Sequence, residues 1–144
     1  NKDNLFNSID IPCEAKEVVL YSRWKKLVWN APFNPISVIE CGATTDKMLG
    51  HMPTRELVIN VMKEVCVLAE ADGYPLKPDI IEKNIYSTEK MQPYKTSMLV
   101  DYEAGRPMEV EAILGNALRF AKSKCISVPY IEGLYSMLSF INQR

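Results

Sequence analysis

The sequence predicts an all-α domain, on three observations. Apolar residues recur at helical spacing in several separate segments of the 144-residue chain. Glycine and proline fall between these segments, where helices end and begin. Only Ile9 to Cys13 alternates in polarity as a strand does, and one strand cannot form a sheet. The predicted fold class is therefore all-α, with this short N-terminal segment as its one strand-like element.

The first helix is predicted over Glu14 to Asn30, where apolar residues recur at helical intervals. Asn34 and Pro35 follow, and the residue before a proline disfavours helical backbone, so the pattern indicates a break or kink there. Because proline suits the first turn of a helix, we expect a short helix to restart at Pro35 and to run to about Cys41.

Further helices are predicted along the rest of the chain. The clearest begins at Pro53 and ends at Gly73, which suits a left-handed C-terminal cap. The other predicted helices span residues 78–92, 96–104, 108–125 and 129–141. The sequence contains no repeat and no linker, so we expect these helices to form a single domain over residues 1–144.

Composition and charge exclude several classes of protein. The chain is 47% hydrophobic and 24% charged, which excludes disorder, collagen and coiled coil as descriptions of the whole. Its net charge of −1 gives no electrostatic drive toward nucleic acid or an anionic membrane. No apolar run approaches the roughly 18–20 residues of a membrane span, and residues 1–10 lack a signal-peptide core. We therefore expect a cytoplasmic protein.

The cysteines and the single histidine argue against a metal site and against nucleophilic catalysis. No two of the four cysteines have the spacing of metal ligands, and His51 is the only histidine. We expect reduced thiols, with Cys66 and Cys125 on apolar helix faces, and a solvated turn at His51. The chain also lacks the G-x-G-x-x-G, G-x-x-x-x-G-K-[ST], H-E-x-x-H and G-x-S-x-G motifs.

One candidate site is a group of polar residues near the predicted break in the first helix. Lys26, Asn30 and Asn34 are spaced four residues apart, so they share a face if the helix continues that far. The alternative is a solvated face in which the asparagines act only as caps before the proline.

A second polar group lies in the C-terminal half. Thr96 or Ser97 could cap a helix. Glu109 and Glu111 lie in the first turn of the next helix, where the helix dipole favours carboxylates whatever their function. Because these two residues are two positions apart, they do not face one cleft together. Gly115 is expected to permit close helix packing rather than to bind phosphate.

Three motifs, in this order, resemble the ketopantoate reductase (2-dehydropantoate 2-reductase) family. The motifs are W-x-K-L-x-x-N-x-x-x-N-P from Trp24, S-M-x-x-D from Ser97 and G-R-x-x-E from Gly105, and the likeness covers about residues 20–141. The resemblance implies an all-α C-terminal domain like that of 6-phosphogluconate dehydrogenases. It also implies an N-terminal Rossmann domain that holds NADPH, with the substrate between the domains. The chain lacks the glycine-rich fingerprint of such a domain, so we expect a separately produced C-terminal domain that is inactive alone.

The resemblance implies a role for each motif residue. Lys26 is implied as the general acid that protonates the carbonyl oxygen as hydride arrives. Asn30 and Asn34 are implied to hydrogen-bond the substrate, and Ser97 to bind its carboxylate. Glu109 is implied to lie near the cofactor ribose and the substrate and to help orient Lys26. The implied reaction reduces 2-dehydropantoate to pantoate, a step of pantothenate biosynthesis.

The chain departs from the family pattern at one position. Thr44 and Thr45 stand where the family often has a further substrate-contacting asparagine. Thr44 keeps a hydroxyl with a shorter reach, so another small 2-oxo acid is an alternative substrate. A further alternative is a helical interaction domain that keeps the fold without catalysis. We also expect the isolated domain to self-associate through the face that meets the Rossmann domain, and a homodimer is one candidate state.

Overall fold

The computed structural model describes residues 13–143, and these residues form seven α-helices and one π-helical turn. The helices are α1 (Cys13–Ile39), α2 (Thr45–Gly50), α3 (Met52–Ala71), α4 (Ile80–Lys90), α5 (Ser97–Glu103), α6 (Asn116–Ser123) and α7 (Pro129–Ile141). The π-turn (Glu111–Gly115) directly precedes α6. No strand occurs between residues 13 and 143, and the all-α prediction is confirmed. The predicted strand Ile9–Cys13 lies outside the described residues except for Cys13, which begins α1.

Helix α1 continues through Pro32 and Pro35, so the predicted break and restart at Asn34-Pro35 are wrong. Each proline removes one backbone hydrogen bond and crowds the preceding turn, which usually ends or kinks a helix. Residues 31–38 are all buried, and other helices pack around this segment. Tertiary packing therefore outweighs the local cost of the prolines, and Asn30 and Asn34 lie on one helix.

The hydrophobic core takes buried side chains from all seven helices and from the π-turn. The largest fully buried side chains are Phe33, Ile36, Met48, Met62, Leu68, Met98, Leu99, Leu114, Ile131 and Leu138. Burying one side chain of this size contributes about 1.5–3 kcal/mol. Because α1 and α5 both contribute to this core, their relative position is set by packing as well as by polar contacts.

Two tryptophans anchor α1 to its neighbours. Trp24 Nε1 donates to Asp72 Oδ2 at 2.9 Å, and its ring centroid lies 5.8 Å from that of Phe120 in α6. Trp29 Nε1 donates to Thr88 Oγ1 in α4 at 2.9 Å. A buried indole N–H usually finds such a partner, and the ring supplies the apolar contact. Together these contacts fix the rotation of α1 about its axis and therefore the face that remains uncovered.

The end of α6 corrects a prediction about one cysteine. Cys125 is exposed with φ 56°, so it does not lie on an apolar helix face. The Ile126 N–H donates to the carbonyl of Ala121 at 2.9 Å, which closes the helix in the pattern that places a left-handed residue just beyond its end. By contrast, Cys66 is half-buried against the core as predicted, and burial raises the pKa of its thiol.

The remaining differences from prediction are local. Helix α2 was not predicted, and the helix predicted from residue 108 contains the π-turn. The Asn116 N–H donates to the carbonyl of Glu111, five residues earlier, which defines the π-turn. The helices predicted from Pro53 to Gly73 and over residues 96–104 and 129–141 are confirmed to within about two residues, as boundaries usually are.

Candidate active site

Asn34 is the centre of a hydrogen-bonded group that joins α1 to the first turn of α5. Its side chain is 1% exposed. Its Oδ1 accepts the Met98 backbone N–H at 3.3 Å and lies 3.4 Å from Ser97 Oγ. Its Nδ2 donates to the backbone carbonyl of Asn30 at 3.2 Å and to Asn30 Oδ1 at 3.3 Å. The backbone donor and the backbone acceptor fix the orientation of this amide. Three predicted substrate residues therefore lie in one group: Asn30, Asn34 and Ser97.

Lys26 lies one helical turn before Asn30 on α1. Side chains four residues apart on a helix have Cβ atoms about 5–6 Å apart, so the two are neighbours. Lys26 is exposed, and neither its ammonium nor the Asn30 Nδ2 makes a hydrogen bond to a residue between 13 and 143. Ser97 is exposed as well. The group thus combines an ammonium, an amide donor and a hydroxyl at one uncovered face.

Two buried hydroxyls support the first turn of α5. Ser37 Oγ and Thr96 Oγ1 lie 2.7 Å apart, and both residues are 0% exposed. Thr96 Oγ1 also accepts the Leu99 N–H at 3.1 Å as the N-cap of α5, which confirms the capping role predicted for Thr96 or Ser97. Ser37 Oγ donates to the Asn34 carbonyl at 2.8 Å. The start of α5 is therefore joined to α1 by two separate side-chain contacts.

Thr44 lies just before α2 and makes no hydrogen bond to the Asn34 group. Its Oγ1 donates to Asp46 Oδ1 at 2.5 Å, and this hydrogen bond is the main cause that lowers the pKa of Asp46. The neighbouring Thr45 is buried, and its backbone N–H donates to the Tyr94 carbonyl at 3.2 Å. The Thr44 hydroxyl keeps its capacity to accept a hydrogen bond, and its contact with the substrate stays a prediction.

Glu109 lies at the start of the helical segment that leads into the π-turn. Its backbone carbonyl accepts the Ile113 N–H at 3.2 Å. Its carboxylate is exposed and forms neither a hydrogen bond nor an ion pair with the part of the chain that the structure describes. No contact within that part joins Glu109 to Lys26, so its predicted effect on the orientation of Lys26 stays a prediction.

Glu111, in contrast, is fully paired. Its Oε1 accepts from Arg119 Nη1 at 2.8 Å, and its Oε2 accepts from the Tyr135 hydroxyl at 2.8 Å. The hydrogen bond from Arg119 is the main cause that lowers the pKa of Glu111, and the hydrogen bond from Tyr135 lowers it further. The carboxylate lies over Gly115, where a Cβ would overlap it. Gly115 therefore makes room for the Glu111 side chain, a role that was not predicted from the sequence.

The described residues were compared with the requirements of a metal site and of a membrane-spanning helix. Between residues 13 and 143, His, Cys, Asp and Glu side chains do not gather in a group of three that could hold a metal ion. None of the helices in that range has the length and apolar composition of a membrane span. His51 is exposed between α2 and α3, as predicted for a turn residue.

Comparison with known proteins identifies the family. The model of the ketopantoate reductase PanE/ApbA C-terminal domain matches residues 18–142. This chain belongs to that family. A 2-dehydropantoate 2-reductase of Nostoc sp. is 42% identical to it over 139 residues, which cover 96% of the chain and 43% of the relative.

Solved ketopantoate reductases also share the fold. The 2-dehydropantoate 2-reductase of Methylococcus capsulatus superimposes with a TM-score of 0.82 at 47% identity, over 86% of this chain and 39% of that protein. A dimeric ketopantoate reductase of Staphylococcus aureus superimposes with a TM-score of 0.77 at 26% identity. The match covers 83% of this chain and 42% of that protein. The chain thus spans about two-fifths of the length of the relatives it matches.

One half-buried carboxylate of this ketopantoate reductase domain, that of Glu64 in α3, was not predicted from the sequence. Its two oxygens accept the backbone N–H groups of Tyr130 at 3.0 Å and Ile131 at 2.8 Å, in the first turn of α7. Burial raises the pKa of Glu64, and the two hydrogen bonds oppose that rise. Because Val128 provides no side-chain cap for α7, Glu64 caps this helix from another element. No local sequence signal connects residues 66 positions apart.

Proposed function

We propose that this chain is the substrate-binding C-terminal domain of an NADPH-dependent 2-dehydropantoate 2-reductase, which reduces 2-dehydropantoate to pantoate. The observation that carries the proposal is that Asn30, Asn34 and Ser97 lie in one hydrogen-bonded group beside Lys26. Membership of the ketopantoate reductase family supports the reaction class. In the full-length protein, a Rossmann domain holds NADPH against this face.

Lys26 is the general acid of the proposed reaction. Reduction of the ketone adds hydride to the carbonyl carbon, and the carbonyl oxygen must gain a proton to become a hydroxyl. Lys26 Nζ donates that proton, and its charge stabilises the negative charge that develops on the oxygen. No salt bridge to a residue between 13 and 143 has to break first. Lys26 is exposed here, so the substrate and the Rossmann domain must supply the desolvation that strengthens this interaction.

Neutral donors bind the substrate acid in this proposal. Ser97 Oγ lies 3.4 Å from Asn34 Oδ1, at the long end of hydrogen bonding, so its hydroxyl can turn to a carboxylate at little cost. The Asn30 Nδ2 has N–H groups available for the substrate. Asn34 uses both amide atoms within the chain, so a direct substrate contact requires that it exchange one of these bonds. Asn34 supports the site by holding Asn30 and Ser97 together.

NADPH supplies the hydride when bound, and the proposal gives one residue of this chain a contact with it. The exposed Glu109 carboxylate can accept hydrogen bonds from ribose hydroxyls, which fits that part of the cofactor. The chain has no glycine-rich loop to bind the phosphates, and in our proposal the Rossmann domain does so. Glu109 also orients the Lys26 ammonium once the two domains meet.

The alternative substrate is another small 2-oxo acid. The Thr44 hydroxyl donates to Asp46, so it does not replace the N–H donors of an asparagine at this position. A panel of branched 2-oxo acids, compared by kcat/KM with 2-dehydropantoate, distinguishes the substrates. A helical interaction domain without catalysis is the other alternative, and it predicts no NADPH oxidation with any acid of the panel.

The decisive experiment replaces Lys26 in the full-length protein. Lys26→Ala is expected to lower kcat about 10²–10⁴-fold, because it removes the general acid. Lys25→Ala is the matched control, since Lys25 is the adjacent exposed lysine and is expected to leave kcat within about twofold. The isolated chain is expected to show no activity. A Lys26→Ala enzyme with near-normal turnover overturns the assignment.

Two wider expectations belong to the same proposal. We expect the full-length protein in the cytoplasm, and we expect it to form a homodimer. The described relative from Staphylococcus aureus is dimeric, which supports the second expectation. Light scattering on the full-length protein tests it, and a monomeric mass at high concentration contradicts it.

A further inference from the structure

We infer that the hydrogen bond between Ser37 and Thr96 positions Ser97 for the substrate carboxylate, which makes Ser37 and Thr96 positioning residues of the reductase. The inference rests on the proposed function, because it concerns the placement of a proposed substrate-binding hydroxyl. It adds two residues that touch neither the substrate nor the cofactor. They act through Ser97, the next residue along the chain from Thr96.

The hydrogen bonds around the pair have one consistent direction. The Leu99 N–H donates to Thr96 Oγ1, so the Thr96 proton is left to donate to Ser37 Oγ, 2.7 Å away. The Ser37 proton then goes to the Asn34 carbonyl at 2.8 Å. Each hydroxyl donates once and accepts once, and both residues are 0% exposed. The arrangement is therefore complete without water.

This contact exceeds what a helix cap requires. An N-cap needs only an oxygen that accepts an N–H of the first turn. Here the cap hydroxyl also donates its proton to a residue 59 positions away, on the helix that carries Lys26 and Asn30. The Met98 N–H is held by Asn34, from the same part of α1. Ser97 lies between Thr96 and Met98, which are both held by α1. The distance of Ser97 from Lys26, the proposed proton donor, is therefore set by α1.

The short length of α5 makes these contacts important for position. The helix spans seven residues, and helices of this length have little intrinsic stability in water. If the Ser37 hydroxyl is lost, the Thr96 proton is left buried without an acceptor, and if the Thr96 hydroxyl is lost, the buried Leu99 N–H loses its cap oxygen. Either loss is costlier than removing an exposed hydrogen bond. The first turn of α5 is then expected to shift, and Ser97 to move with it.

The test uses the full-length reductase and two hydroxyl deletions. Ser37→Ala keeps the cap oxygen of Thr96, and Thr96→Val keeps the shape of Thr96 without its hydroxyl. Each is expected to raise the KM for 2-dehydropantoate about fivefold, the value of one hydrogen bond, with kcat within about twofold. KM changes rather than kcat because Ser97 binds the carboxylate equally in the ground state and the transition state. Thr96→Ser keeps the hydroxyl and is expected to restore the KM to near normal.

The double variant adds a second criterion. Because Ser37 acts on Ser97 only through its hydrogen bond with Thr96, combining Ser37→Ala with Thr96→Val is expected to raise KM no more than Thr96→Val alone. Circular dichroism melting of each variant checks that it is folded. If Thr96→Val does not fold, Ser37→Ala decides the matter by itself.

Failure of the inference is distinguishable from failure of the proposed function. An unmodified protein that does not reduce 2-dehydropantoate or a related 2-oxo acid overturns both. If the unmodified enzyme is active, a folded Ser37→Ala variant with unchanged KM overturns the positioning role alone. Lower stability with unchanged KM leads to the same conclusion, as does a Thr96→Ser variant as impaired as Thr96→Val.

Discussion

Asn34 in α1 and Met98 in α5 are joined by a hydrogen bond of 3.3 Å from the Met98 backbone N–H to Asn34 Oδ1. The two residues are 64 positions apart in the chain and are 1% and 2% exposed. A buried backbone N–H needs an acceptor, and at the second residue of a helix no carbonyl of the same helix can serve. Asn34 therefore satisfies α5 from another helix and brings Ser97 beside Asn30.

Asn34 is expected to contribute to the stability of the fold through its contact with α5. Asn34→Ala is expected to lower the free energy of unfolding by about 2–3 kcal/mol, because it leaves the Met98 N–H buried without an acceptor and opens space in the core. Urea unfolding of the chain measures the change. Asn60→Ala is the control, since Asn60 is half-buried in α3 and has no hydrogen bond to the described part of the chain. It is expected to change stability by about 0.5 kcal/mol or less.

Gly115 and Glu111 are expected to be energetically coupled. Alanine stabilises a helix by about 1 kcal/mol relative to glycine. A Cβ at position 115 would overlap the Glu111 carboxylate and displace it from Arg119 and Tyr135. Gly115→Ala is therefore expected to stabilise a Glu111→Ala chain by about 1 kcal/mol and the unmodified chain by less. Urea unfolding of the unmodified chain, the two single variants and the double variant gives the coupling energy. An equal effect of Gly115→Ala with and without the Glu111 side chain would rule out the coupling.

Glu64 is expected to make stability depend on pH. Burial raises the pKa of its carboxyl in the folded chain above the value in the unfolded chain, so the folded chain binds this proton more tightly. Its contribution to stability is therefore greatest at low pH and is lost as the pH rises from about 4 through the raised pKa. Relative to Glu64→Gln, the unmodified chain is expected to lose stability as the pH rises from about 4 to 7.

Urea unfolding of the Glu64→Gln and unmodified chains at three pH values tests this sign. Glu56→Gln, which removes an exposed carboxyl from the same helix, controls for the loss of one surface charge. If the unmodified chain instead gains stability relative to the Glu64→Gln chain as the pH rises, the assigned effect of burial on the pKa of Glu64 is contradicted.

Ser97 is expected to contribute to substrate binding rather than to the chemical step. In the full-length enzyme, Ser97→Ala is expected to raise the KM for the 2-oxo acid about tenfold, the value of a hydrogen bond to a charged group. The kcat is expected to stay within about threefold, because the hydroxyl contacts the carboxylate rather than the reacting carbonyl. Ser127→Ala, at an exposed serine without a hydrogen bond to a described residue, is the control. An unchanged KM for Ser97→Ala would remove Ser97 from the substrate site.

Most helices could be predicted because their signals are local. The stretch from Pro53 to Gly73 contains its own start, its own apolar face and its own left-handed end. The course of α1 through Pro32 and Pro35 could not be predicted in this way, since the local signals at Asn34-Pro35 favour a break. Burial of residues 31–38 outweighs these signals, and burial depends on helices far along the chain.

The candidate site divides in a similar manner. The spacing of Lys26, Asn30 and Asn34 indicated a shared face, and the continuous α1 satisfies its one condition. The pairing of Glu111 with Arg119 and Tyr135 could not be predicted from the sequence. Glu109 and Glu111 lie in the same turn, and only the side chains that surround them in the folded chain decide which of the two is paired.

The sequence by itself determined the all-α class and the three motifs that resemble the ketopantoate reductase family, because periodicity and spacing are properties of the covalent chain. The tertiary structure alone decided that Asn34 is buried against Met98, that Ser37 meets Thr96, and that Glu64 caps α7. The physical reason is clearest for the two buried pairs, Asn34 with Met98 and Ser37 with Thr96. A polar group loses its water on burial, and the partner that replaces this water comes from a part of the chain that only folding brings near.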